Sequence, residues 1–181
     1  MKKYLFTLLL IISGMIVNGQ EKRMSLGLEQ DVLPYLTGGY IGCMWGGIDH
    51  LRTRLLYVDV NMPEFVTADG FSNHHVISKA IVIDYFFQSD WSGPWISTGI
   101  VHWNNSIKET SSQTERHFDQ VMLNGSLGYN KILIGRLYTG VWGGLHLRVS
   151  GANQIQFSES SYSVDRLFPE ASMKLGWSFK I

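Results

Sequence analysis

One cysteine in 181 residues, Cys43, rules out a disulfide within the chain. Small secreted soluble domains commonly depend on such staples, whereas a closed ring of strands does not. Only four prolines occur, so few positions interrupt a hydrogen-bonded ladder. A surplus of one charge is absent as well: Lys and Arg total 15, and Asp and Glu total 15. That argues against a nucleic-acid partner, which needs a basic footprint. Beyond residue 19 there is no apolar run long enough for a spanning helix; the longest are short stretches such as Ala80 to Ile83. No helical period of any length stands out.

The N-terminus has a pattern of its own. Lys2 and Lys3 precede an apolar run from Leu5 to Val17, followed by Val17-Asn18-Gly19. A basic segment, a short apolar segment and a small-residue cleavage site predict a secretory signal peptide over residues 1–19. Cleavage after Gly19 leaves one domain over residues 20–181, slightly acidic once Lys2 and Lys3 are gone. Cys43 lies well inside that domain, so no lipidated cysteine stands at the cleavage point.

What remains has a period of two. In the last eleven residues Met173, Leu175, Trp177, Phe179 and Ile181 alternate with Ser172, Lys174, Gly176, Ser178 and Lys180. Successive side chains of a strand point to opposite faces, so this segment has one apolar and one polar face. A strand of about 9–11 residues with aromatics near its end suits a transmembrane β-barrel. Abundant glycine, 19 residues, and a mean hydropathy of +0.01 fit alternation better than a core with a charged skin.

The pattern predicts eight strands. The first runs from Met24 to near Asp31, and Leu33-Pro34-Tyr35 makes a tight corner. The second spans about Leu36 to Gly46, with Gly38, Gly39 and Gly42 leaving room for large neighbours, and Gly46 to Asp49 turns. The third spans Leu51 to Asn61, with a bulge at Leu55-Leu56. The others are Val76 to Phe87, Trp95 to about Ile107, Glu115 to Tyr129 with a turn at Asn130-Lys131, a seventh through Leu137 to Val149, and the closing strand. The connections after strands three, five and seven are long and those after two, four and six short, as expected of outer loops and periplasmic turns. The first outer corner is the exception.

The strand pattern, the alternation and the aromatic closing strand resemble the small eight-stranded outer-membrane barrels, the OmpA transmembrane domain and OmpX among them, in a Bacteroidota-type form. The resemblance covers the whole mature chain. This chain ends Phe179-Lys180-Ile181 where the family ends in Phe. It implies an all-β, closed, antiparallel up-and-down barrel in the outer membrane, contact with outer-membrane lipid, and insertion by the barrel-assembly machinery.

Several constellations carry chemistry. Arg52, Arg54, Asp84, Arg136, His146, Arg148, Lys174 and Lys180 fall on polar faces. Eight strands enclose a lumen just wide enough for side chains, so these charges should form an internal network; a narrow arginine-lined pore is the sharper reading. Arg52, Arg54, Arg136 and Arg148 should there meet Asp84, Glu29 or other acids. His102 and His117 would oppose each other in a hairpin centred on Glu109-Thr110, as a possible metal pair with Glu115. His74-His75 with Asp69 and Glu64 could hold a metal, and Ser72, His74 and Asp69 could be imagined as a hydrolytic trio, without any surrounding motif. Tyr35, Trp45, Trp91, Trp95, Trp103, Tyr129 and Trp177 read as interfacial belts. No cofactor is expected. The function that follows is a structural or interaction barrel with a filled lumen, meeting an extracellular ligand through loops 62–75 and 150–169; a lipid-modifying enzyme and a narrow pore are the alternatives.

Overall fold

A computed structural model describes residues 24–180; the predicted signal peptide, its cleavage point and Ile181 lie outside the described residues. The period-two runs form β1 (Met24–Asp31), β2 (Tyr40–Ile48), β3 (Leu51–Asn61), β4 (Phe71–Phe86), β5 (Gly93–Glu109), β6 (Glu115–Ile134) and β7 (Leu137–Gly151). A small hairpin of β8 (Gln154–Gln156) and β9 (Ser161–Ser163) precedes β10 (Leu167–Lys180). Each barrel strand pairs antiparallel with the next, and β1 pairs with β10, so eight strands close a ring with no free edge strand.

The two faces are inverted relative to a soluble barrel. Leu28, Met44, Ile81, Ile100, Leu123 and Leu175 stand outward, each about half exposed, while Glu29, Arg52, Asp84 and Lys174 are sealed inside. An apolar band wrapped around a polar interior is the pattern of a transmembrane β-barrel. The turns at residues 49–50, 87–92 and 135–136 share one end of the barrel with the termini of β1 and β10; segments 32–39, 62–70, 110–114 and 152–166 share the other.

Several boundaries differ from those read in the sequence, for local reasons. The β2–β3 turn is at residues 49–50, because pairing continues to Ile48 and Leu51 and Asp49 takes the left-handed conformation, at φ 53°. β6 continues past Asn130 to Ile134, and Gly135, at φ 57°, turns the chain. Asn130 stays inside because its side-chain oxygen accepts the Trp95 indole N–H at 2.9 Å. β3 pairs in unbroken register with both neighbours, so there is no bulge at Leu55-Leu56; the irregularity in β4 lies between Ser72 and His75. β4 begins at Phe71, which puts His74 and His75 on a strand rather than in a loop. The corner at Leu33 is a one-turn helix, Leu33–Leu36, with Pro34 in its first turn, where a missing N–H is harmless.

On the inner face small residues sit beside large ones on the neighbouring strand, Gly27 paired with Trp45, Gly128 with Trp95 and Gly176 with Tyr138. A Cβ on Gly27 would lie 2.3 Å from the Trp45 ring, one on Gly128 2.4 Å from Trp95, and one on Gly176 2.2 Å from Tyr138. The expected room-making glycines do otherwise: Gly42 faces open space, Gly38 occupies a turn at φ 78°, and Gly39 lies against the Asp59 and Val60 backbone. Gly176→Ala should therefore destabilise by about 1–3 kcal/mol through overpacking against Tyr138, and Gly42→Ala should be near neutral. Urea midpoints of the two variants refolded in lipid vesicles test the contrast.

Candidate functional site in the lumen

The alternation of β1, β3, β4 and β10 aims five ionised side chains at one level of the lumen. Arg52 Nη1 lies 2.5 Å from Glu29 Oε1, and Arg52 Nε 2.7 Å from Asp84 Oδ2. Arg54 Nη2 lies 2.9 Å from Asp84 Oδ1, and its Nη1 3.6 Å from Glu29 Oε2. Lys174 Nζ stands 3.3 Å from Glu29 Oε1. Tyr138 donates its hydroxyl hydrogen to Glu29 at 2.7 Å and accepts the Trp45 indole N–H at 2.8 Å. Charges removed from water must be paired, and Glu29 pairs with three cations at once, hydrogen-bonding Arg52 and holding Arg54 and Lys174 as ion pairs.

Aromatic rings close the space beneath. Trp45, Phe86, Trp91, Trp95 and Tyr138 form one buried cluster with Trp142 packed against it. The Arg52 guanidinium sits 4.8 Å from the Phe86 ring centroid and 5.1 Å from that of Trp45, and Lys174 Nζ 4.3 Å from that of Trp95. Cations over desolvated ring faces add attraction to the ion pairs. Ion cluster and rings together fill the cross-section at the end that carries the short turns.

The other end is organised by the segment after β7. β8 and β9 fold over the mouth, where Phe157 and Val164 bury against Ile107 and Phe118, with Phe71, Tyr162 and Phe168 alongside. Arg148 fastens this lid. Its guanidinium donates to Asp165 O, Gly151 O, Ala152 O, Val164 O and Asn153 Oδ1, at 2.7 to 3.2 Å. Below the lid His146 Nε2 lies 2.6 Å from Glu170 Oε2, and its ring packs 6.0 Å from Trp103.

The residues singled out in the sequence thus separate into groups. Arg52, Arg54, Asp84 and Lys174 share the ion cluster. His146 stands apart with Glu170, and Arg148 serves the lid rather than any acid. Arg136 is not lumenal. Extension of β6 moves the turn to residues 135–136, leaving Arg136 exposed with its carbonyl accepting the Ser178 N–H at 3.0 Å. His102 and His117 are not opposed: β5 runs to Glu109 and the loop is 110–114, so His102 pairs with Val121 and His117 with Ser106. His102 instead lies 3.2 Å from Asp119, and His117 3.7 Å from Glu115. His74 points inward to Asn105 Oδ1 at 3.1 Å and His75 outward to Asp59 at 2.8 Å, so neither turns to Ser72 or Asp69. Among the described residues no cluster of three or more His, Cys, Asp or Glu could hold a metal ion.

Sequence reasoning read Trp45, Trp91 and Trp95 as interfacial belt residues and gave Tyr138 no site role, whereas all four join the buried cluster of the lumen. Trp45, Trp91 and Trp95 are buried within, whereas Tyr35, Tyr129 and Trp177 are exposed. The signal was strand phase: Trp45 is in phase with Cys43, and Trp95 with Ser97 and Gly99, all on the inner face.

Glu29→Gln should destabilise by roughly 3–5 kcal/mol, since it leaves two buried arginines on Asp84 and takes from Lys174 its ion pair. Lys174→Leu should cost less, because it leaves two arginines on two carboxylates. Denaturant titrations in lipid vesicles give both values. Arg148→Ala should lower local opening free energy over residues 152–166 by about 3 kcal/mol while leaving β3 and β4 protected. Amide hydrogen exchange resolved along the chain reads this directly.

No family model and no curated protein matches the chain. Among solved structures it is similar to the crystal structure of Neisserial surface protein A, with a TM-score of 0.47 and 10% sequence identity, over 88% of this chain and 96% of that one. A likeness this distant gives no residue of this chain a role.

Proposed function

We propose that this chain is a small outer-membrane barrel of the OmpA and OmpX kind, with a structural or interaction role borne by its outer surface. On this reading it is exported by a signal peptide cleaved after Gly19 and inserted by the barrel-assembly machinery. The reading rests chiefly on one observation: an apolar exterior encloses a lumen filled by an ion cluster and a layer of aromatic rings. A plugged lumen leaves the surface beyond the membrane as the place for contact. That surface comprises the segment 62–70, with Phe65 fully presented, the hairpin 110–114 and the lid. Solute passage is opposed by Trp45, Trp91 and Trp95 across the lumen. Hydrolytic chemistry is opposed by the engagement of His74 with Asn105.

Planar bilayers test the filled lumen. The native chain should give no channel steps, and a Trp45→Ala, Trp91→Ala double variant should leak. Regular steps from the native protein would return the pore to first place. Density-gradient fractionation of cell membranes should recover the chain in the outer-membrane fraction, a separate check on location.

A further inference from the structure

The barrel wall is not of even height. β10 pairs with β7 from Leu167 to Trp177, but with β1 only from Lys174 to Lys180, because β1 ends at Asp31. One further hydrogen bond, from the Val32 N–H to the Met173 carbonyl at 2.9 Å, ends the seam. Backbone groups of alternate residues point to the same side of a strand, so those of Ala171, Pro169 and Leu167 point as Met173 does and meet no partner strand. Pro169 suits such an edge, having no N–H to leave unpaired. After Val32 the chain turns away, and the Leu33–Leu36 helix packs on β2 and β3. A notch remains in the wall between β10 and the first hairpin.

The lid covers part of the mouth: it rests on Phe71 of β4, Ile107 of β5 and Phe118 of β6, meets Phe168 of β10, and has Ser160 donating to Glu109 of β5. Leu56, Val58 and Val60 of β3 and Ala80 of β4 face inward by strand phase and yet stay only half-buried. Glu170, also inward by phase, keeps a 47% exposed side chain, and His146 behind it has a buried Nδ1 without a partner. The rim is apolar: Val32, Leu33 and Leu36 are 45%, 44% and 74% exposed and continue the outward band of Leu28 and Met173. An apolar rim that merges with the lipid-facing surface, leading to an apolar inner wall with a polar group beside it, matches a chain with a polar head end.

We infer that the notch is a lateral portal that admits one acyl chain of an outer-leaflet lipid into the upper lumen. The tail lies along Leu56, Val58, Val60 and Ala80. The ester or hydroxyl at its head end meets His146 and Glu170. This rests on the membrane placement proposed above, and one measurement separates the two.

The perdeuterated chain is placed in phosphatidylcholine nanodiscs with protonated lipid, and magnetisation transfer from acyl methylene protons to indole N–H groups is recorded by NMR. Such transfer requires near contact. Trp177, on the outer face, should receive it. Trp45 and Trp95, in the closed layer, should not. Trp142, which faces inward, pairs with Ser172 and donates to Asp31 at 2.8 Å at the foot of the notch, should receive it. Val58→Glu should abolish the Trp142 signal and leave that of Trp177, which also reports that the variant is folded and inserted. A silent Trp142 beside a responsive Trp177 overturns the portal and leaves the membrane placement standing. A Trp142 signal unchanged by Val58→Glu also overturns it, and a silent Trp177 sinks the membrane placement itself. Should Val58→Glu fail to insert, Ala80→Glu takes its place.

Discussion

Glu29 presents one carboxylate to two guanidiniums and an ammonium, all of them buried in the lumen. Its pairing with Arg52, Arg54 and Lys174, and theirs with Asp84, fixes the relative heights of β1, β3, β4 and β10. A one-residue slip of any of these strands would flip every side chain to the other face. For β3 that would carry two arginines into hydrocarbon, at about 2–4 kcal/mol each near the midplane. The cluster therefore holds the ring in register as much as it neutralises charge.

The rings around the cluster depend on it and support it. Trp45 donates to Tyr138, Tyr138 to Glu29, and Arg52 lies over Trp45 and Phe86, so hydrogen bonds and ring contacts run in one connected set. Glycines opposite these rings give them their space. Replacing a ring or filling a glycine thus disturbs the same network from two sides, and such substitutions should be non-additive.

Much of this was legible in strand phase. The third strand alternates through its first half, before the phase blurs at Leu55-Leu56, so Arg52 and Arg54 could be put on one face, and Lys174 likewise sits between Met173 and Leu175. The tryptophans were not legible by composition, because indoles suit both a membrane interface and a packed interior. Arg136 was misplaced because Ile132-Leu133-Ile134 extended a strand beyond Asn130, and the hairpin moved with it. The opposition of His102 and His117 depended on loop length, which alternation does not encode. The lid hairpin lies in a Ser- and Gln-rich stretch that reads as plain loop, and Arg148 gave no sign that its partners would be carbonyls. The short first corner, out of pattern in the sequence, is what leaves β10 without a neighbour above Asp31.

β6 runs for 20 residues and β5 for 17, while a membrane crossing needs only about 9–11. About half of this hairpin is therefore paired sheet standing beyond the band of lipid. Backbone already fixed in a ladder has little conformational freedom left to lose when something docks against it. Association then forfeits less entropy than it would at a free loop, and a modest contact area can yield useful affinity. The excess length of β5 and β6 gives the protein a preorganised outer face, stiff before any partner arrives.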